Sequence, residues 1–97
     1  MLREIVSQQP NDAFARYGLA MELANRGDLE HAMSEFKQLL QLHPDYSAGY
    51  FMAAQQLAKV GRTDEAKEHL TRGIAAAERT RNAHARAEMQ QMLDELG

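Results

Sequence analysis

Ninety-seven residues give enough chain for one modest hydrophobic core, and no room for a catalytic domain beside a binding domain. With 11 Lys+Arg against 14 Asp+Glu, net charge -3 and both signs interleaved, no basic face for nucleic acid is expected. The absence of cysteine excludes disulfides, thiolate zinc sites and thiol nucleophiles, and no apolar run approaches the ~20 residues that span a bilayer.

The first segment carries Arg3 and Glu4 among Leu2, Ile5 and Val6, which is no signal-peptide pattern. A soluble, cytoplasmic protein is the resulting expectation. Residues 1–9 read as the tail of a leading helix, because Leu2, Ile5 and Val6 precede Pro10 much as Leu39 and Leu40 precede Pro44. This start fits either a small complete protein or a piece excised from a longer array.

Pro10-Asn11-Asp12 then signals a helix start, since Pro fixes the entry and Asn or Asp accepts a bond from an orphan N–H. Leu19, Ala20 and Leu23 share one side of that helix, and Gly27 ends it in the left-handed conformation that glycine adopts freely. Asp28 is placed to cap a second helix, with Glu30 in its first turn and Leu29, Ala32, Met33, Phe36, Leu39 and Leu40 on its apolar side.

The same order recurs. Pro44-Asp45 opens a third helix, Gly61 closes it, and Thr63 is the expected cap of a fourth that runs to about Arg79 with Asp64 and Glu65 in its first turn. Asn82 is positioned to cap a last helix whose apolar side is Ala85, Met89, Met92, Leu93 and Leu96. Its remaining residues, Glu88, Gln90, Gln91, Asp94 and Glu95, suit a solvent-facing end. Arg79, Arg81 and Arg86, interleaved with Glu78 and Glu88, read as solvated charges at the helix junction.

An internal repeat underlies this recurrence. Pro10 and Pro44, Ala20 and Ala54, Leu23 and Leu57, Ala24 and Ala58, Gly27 and Gly61, and Ala32 and Ala66 are all separated by 34 residues. Each copy is helix, tight turn, helix, and the small Ala20, Ala32, Ala54 and Ala66 allow two antiparallel helices to approach closely.

These residues carry a resemblance to the tetratricopeptide-repeat family, whose unit reads W-x2-L-G-x2-Y, then A-x3-F, then P. In the first copy Leu19, Ala32, Phe36 and Pro44 match, Ala20 stands for the Gly, Leu23 for the Tyr, and Arg16 replaces the Trp. In the second, Tyr50 takes the Trp place, followed by Ala53, Ala54, Leu57, Ala66 and Leu70, while Glu78 stands where the closing Pro would be. The resemblance implies an all-α α-solenoid of antiparallel helix-turn-helix repeats with a C-terminal capping helix. Within a single domain, 1–97, repeat 1 spans 11–44, repeat 2 spans 45–78 and the capping helix spans 82–96.

The first helices of the repeats have a second apolar side. At 100° per residue, Phe14, Tyr17 and Met21 fall within about 60° of each other and roughly opposite Leu19 and Leu23. The later helix presents Phe51, Met52 and Gln55, with Lys59 one turn on. In the family that this chain resembles, the first helices line a concave groove that receives peptides or helices. That resemblance implies partner-binding positions at Phe14, Tyr17, Met21 and Asn25, then Phe51, Met52, Gln55 and Lys59, then Arg86 and Met89 on the last helix. The subfamily that grips a C-terminal carboxylate uses Lys and Asn at several of these places, where this chain has mostly aromatic and Met side chains.

Aromatic and Met side chains supply large, adaptable contact area, and Asn25, Gln55, Lys59 and Arg86 supply polar contacts to a partner's backbone or acidic side chain. The function expected is protein or peptide binding. Burial between neighbouring helices, or self-association into a homo-oligomer through the same apolar surface, are the alternatives. No cofactor or metal is expected. His31, His69 and His84 each have a Glu one turn away, at Glu35, Glu65 and Glu88, but no H-E-x-x-H or Cys partner joins them and His43 stands apart. Ser7, Ser34, Ser47, Thr63, Thr71 and Thr80 form no G-x-S-x-G elbow and the glycines no phosphate loop, so an enzyme is not expected.

Overall fold

The computed structural model describes residues 12–97, so the leading helix expected at 1–9 and the start signal at Pro10 and Asn11 lie outside the described residues. Five helices follow: α1 (Ala13–Asn25), α2 (Leu29–Leu42), α3 (Ser47–Lys59), α4 (Thr63–Arg79) and α5 (Ala83–Leu96). They divide into two compact units, one ending at Pro44 and one running from Asp45 to Gly97. In the first, α1 packs on α2; in the second, α4 packs on both α3 and α5, and α3 also meets α5. Among the described residues no helix is long and apolar enough to cross a membrane.

Local chemistry sets most of the helix ends. Asp12, Asp28 and Asn82 cap α1, α2 and α5, their side-chain oxygens accepting from the backbone N–H of Ala15, His31 and Ala85 at 3.1, 3.3 and 3.1 Å. Two expected caps do not form. Asp45 stands before the actual N-cap Tyr46 and instead accepts from Arg79 Nε at 2.8 Å, while Thr63 is the first residue of α4 rather than its cap, which is Arg62. Arg62 also bonds Glu65 across the first turn, and that guanidinium holds the Glu65 carboxyl below its ordinary pKa.

Three turns share one hydrogen-bonding pattern. Gly27 N–H donates to the Ala24 carbonyl and Asp28 N–H to that of Leu23, at 3.0 and 2.9 Å, which satisfies carbonyls that the end of α1 leaves open. Gly61 and Arg62 repeat this on Ala58 and Leu57, and Arg81 and Asn82 repeat it on Glu78 and Ala77. The central residue must be left-handed, with φ of 80° at Gly27, 82° at Gly61 and 56° at Arg81. Only the third turn builds it from a residue with a Cβ, which strains the backbone there. With Glu78 in place of a proline, α4 continues to Arg79 before it turns.

The alanines read as contact points, Ala20, Ala32, Ala54 and Ala66, are all fully buried, as are Phe36, Leu39, Leu57, Leu70 and Met89. Burial of each large side chain contributes about 1.5–3 kcal/mol. The two hairpins solve one packing problem differently. In the first unit Arg16 is 7% exposed and its Nη1 donates to Glu35 Oε1 at 2.7 Å and Gln38 Oε1 at 3.1 Å, beside a buried Leu39 on the same helix. One period later the residues are Tyr50, Arg72 and Gly73: the Arg72 guanidinium lies 5.5 Å from the centre of the Tyr50 ring, and Gly73 receives the ring's base. A Cβ on Gly73 would stand 2.6 Å from Tyr50 Cβ and 2.5 Å from Met89 Sδ, so the missing side chain is what admits both neighbours.

Three outcomes follow for chemical denaturation. Arg81→Gly relieves a left-handed Cβ and is expected to stabilise by about 0.5–1 kcal/mol, whereas Gly61→Ala introduces one and destabilises by about 1 kcal/mol. Gly73→Ala is expected to cost about 1–3 kcal/mol, because the Tyr50 Cβ is tied to its backbone and cannot simply swing aside.

Candidate functional site

On α1 the side opposite the buried Leu19 and Leu23 is open: Phe14 is 76% exposed, Tyr17 and Met21 are half-buried, and Asn25 is exposed. Partial burial pushes the Tyr17 phenol up from its ordinary pKa, because the anion would lose solvation. A large aromatic left in solvent beside two half-covered apolar neighbours is the kind of surface that repays coverage by a partner.

On α3, Phe51, Met52 and Gln55 are half-buried and Lys59 is exposed. Two of them, Phe51 and Gln55, form one wall of a depression within the second unit; the other wall is Glu88, Gln91, Met92 and Glu95 of α5. Its volume is about 360 Å³, within the range of pockets that hold a ligand or partner side chains. Its large apolar side chains are Phe51 and Met92, and its carboxylates come from α5. Met52, Lys59 and Arg86 do not line it.

On α5 the two candidate contact residues fall elsewhere than the resemblance implied. Met89 is fully buried against Gly73, so it belongs to the core and is withdrawn from the candidate surface. Arg86 turns towards α4, its Nε donating to Glu78 Oε2 at 3.2 Å. Glu88, Gln91, Met92 and Glu95 face Phe51 in their stead. These four occupy i, i+3, i+4 and i+7, one helical stripe, which is the signal in the sequence that could have found them.

His84 meets the glutamate one turn away as the sequence suggested, while His31 and His69 are engaged otherwise. His31 Nδ1 meets Asp28 at 2.7 Å, since Glu35 is taken by Arg16. His69 Nδ1 lies 2.9 Å from the Glu65 carbonyl, and His84 Nε2 lies 3.3 Å from Glu88. Among the described residues no group of three or more His, Cys, Asp or Glu side chains is arranged to hold a metal.

Known proteins share the repeat and its fold. The family model described as tetratricopeptide repeat matches residues 23–92. A TPR repeat-containing protein of Pseudomonas aeruginosa is 25% identical over 95 residues, which cover 98% of this chain and 90% of the relative. An uncharacterized protein of Methanocaldococcus jannaschii is 37% identical over 59 residues, 61% of this chain and 69% of the relative. The solution structure of a tetratricopeptide repeat domain protein from Salinibacter ruber superposes with a TM-score of 0.84 at 28% identity, covering 90% of this chain and 88% of that one.

The exposure pattern separates surface from core in a measurable way. Phe14→Ala is expected to change unfolding free energy by no more than about 0.5 kcal/mol, while Leu70→Ala, at a fully buried position, costs about 2–5 kcal/mol in the same urea titration.

Proposed function

Because this chain belongs to the tetratricopeptide-repeat family, whose members generally serve protein–protein interaction, we propose that it binds a peptide or helix of another protein against the first helices of its repeats. The contact residues are Phe14, Tyr17, Met21 and Asn25 on α1, and Phe51, Met52, Gln55 and Lys59 on α3. The observation that carries this reading is the depression of the second unit, where Phe51 and Met92 keep apolar surface accessible between polar walls.

The chemistry available is that of a docking surface. Phe51 and Tyr17 offer rigid aromatic area at little entropic cost, Met21, Met52 and Met92 adapt to an uneven partner, and Gln55 and Gln91 can hydrogen-bond a bound backbone. Proteins of this family are typically scaffolds rather than enzymes, and the residues gathered here accord with that role.

The double variant Tyr17→Ala, Phe51→Ala tests the assignment. A partner recovered by copurification with the native chain is expected to be lost, with the far-ultraviolet circular dichroism of the variant unchanged. Undiminished binding by the folded double variant would remove these residues from the contact surface.

A further inference from the structure

The polar rim of the second unit's depression has one sign of charge. Of its six lining residues, Glu88 and Glu95 are acidic, Gln55 and Gln91 are neutral, and none is basic. Five cations of this unit have partners away from this lining, although Arg86 also borders, with Gln91 and Glu95, a neighbouring depression. Arg62 pairs with Glu65, Arg79 with Asp45 and Arg86 with Glu78; Arg72 lies over Tyr50, and Lys67 Nζ donates to the Gly97 carbonyl at 2.8 Å. Lys59 is one turn beyond Gln55 and outside the lining.

Glu88 and Glu95 retain capacity for a cation. The Glu88 contact is the exposed imidazole of His84 at 3.3 Å, and Glu95 Oε1 accepts from the Gln91 amide at 3.2 Å; neither bond involves a Lys or Arg. A carboxylate has room for several donors, so each can take a Lys or Arg from outside. Two turns of α5 separate them, about 10 Å along the axis, with Met92 between. The stripe therefore alternates acid, apolar, acid over one helical face. Its complement is a helix with cations at i and i+7 and apolar residues at i+3 and i+4, which repeats the same spacing with the opposite charge.

We propose that the depression between α3 and α5 docks a basic amphipathic helix, whose apolar side chains fill the space over Phe51 and Met92 while two Lys or Arg residues pair with Glu88 and Glu95. This rests on the peptide-binding reading above and gives it a charge. An acidic ligand is disfavoured here, because two carboxylates on the rim repel it and no basic lining residue offsets them.

The test uses the full chain, isotope-labelled for NMR, and two synthetic helical peptides that differ at two positions. One carries Lys-x-x-Leu-Leu-x-x-Lys; the other has Glu in place of both Lys residues. The Lys peptide is expected to shift the Phe51 and Met92 signals and the Glu peptide to leave them in place. Glu88→Gln with Glu95→Gln is expected to weaken the Lys peptide about three- to tenfold, as is usual for exposed pairs, and added salt to weaken the unsubstituted complex. Equal binding of both peptides at Phe51, unaffected by the double Gln variant, would overturn the charge assignment and leave the docking surface standing. Failure of both peptides to move Phe51 or Met92 at millimolar concentration would overturn the docking surface itself.

Discussion

Close approach of antiparallel helices joined by very short turns is the constraint on which each unit depends. A turn confined to Arg26, Gly27 and Asp28, or to Val60, Gly61 and Arg62, leaves the two helices no freedom to spread, so the residues at their contact must be small or absent. Complete burial of Ala20, Ala32, Ala54 and Ala66 is the consequence. The same pressure acts at Gly73, where Tyr50 and Met89 both come so close that even a methyl would collide.

Within that constraint the two repeats distribute bulk and charge differently. Arg16 in the first hairpin is nearly buried, yet its guanidinium reaches Glu35 and Gln38, so the charge is compensated in place. In the second hairpin an aromatic ring stands at this position and an arginine on the neighbouring helix lies over it. Each partner residue in the second helix differs in step with the residue it meets, Glu35 and Gln38 for a guanidinium, Gly73 and Arg72 for a phenol ring. Because the pairs are local to each hairpin, the repeat tolerates the exchange without altering its helices.

The apolar residues that a hairpin does not bury set the character of the candidate surface. Leu19 and Leu23 are taken up by the core of the first unit, and Phe14, Tyr17 and Met21 remain on the other side of the same helix. In the second unit α5 supplies a partial cover for the corresponding side of α3. It covers with a polar stripe rather than an apolar one, since its best apolar residue, Met89, is drawn into the gap over Gly73. Phe51 and Met92 consequently stay accessible, and the carboxylates beside them, Glu88 and Glu95, meet His84 and Gln91 rather than an arginine.

The 34-residue period, the glycine turns and the spans of the helices were legible from residue type alone, because these depend on backbone preferences and on which residues face inward within one hairpin. Asp28 and Asn82 as caps were legible for the same reason. Three features were not legible in this way. Asp45 turned from capping to Arg79, a residue one period away that sequence spacing does not single out as a partner. Arg81 took a left-handed conformation because two hydrogen bonds at the end of α4 required it, although its side chain disfavours it. The rotation of α5 placed Met89 inside, against Gly73, and Glu88 and Glu95 beside Phe51. A helix with apolar residues at Ala85, Met89, Met92, Leu93 and Leu96 has a broad apolar arc, and only the shape of the surface receiving it selects which part is buried.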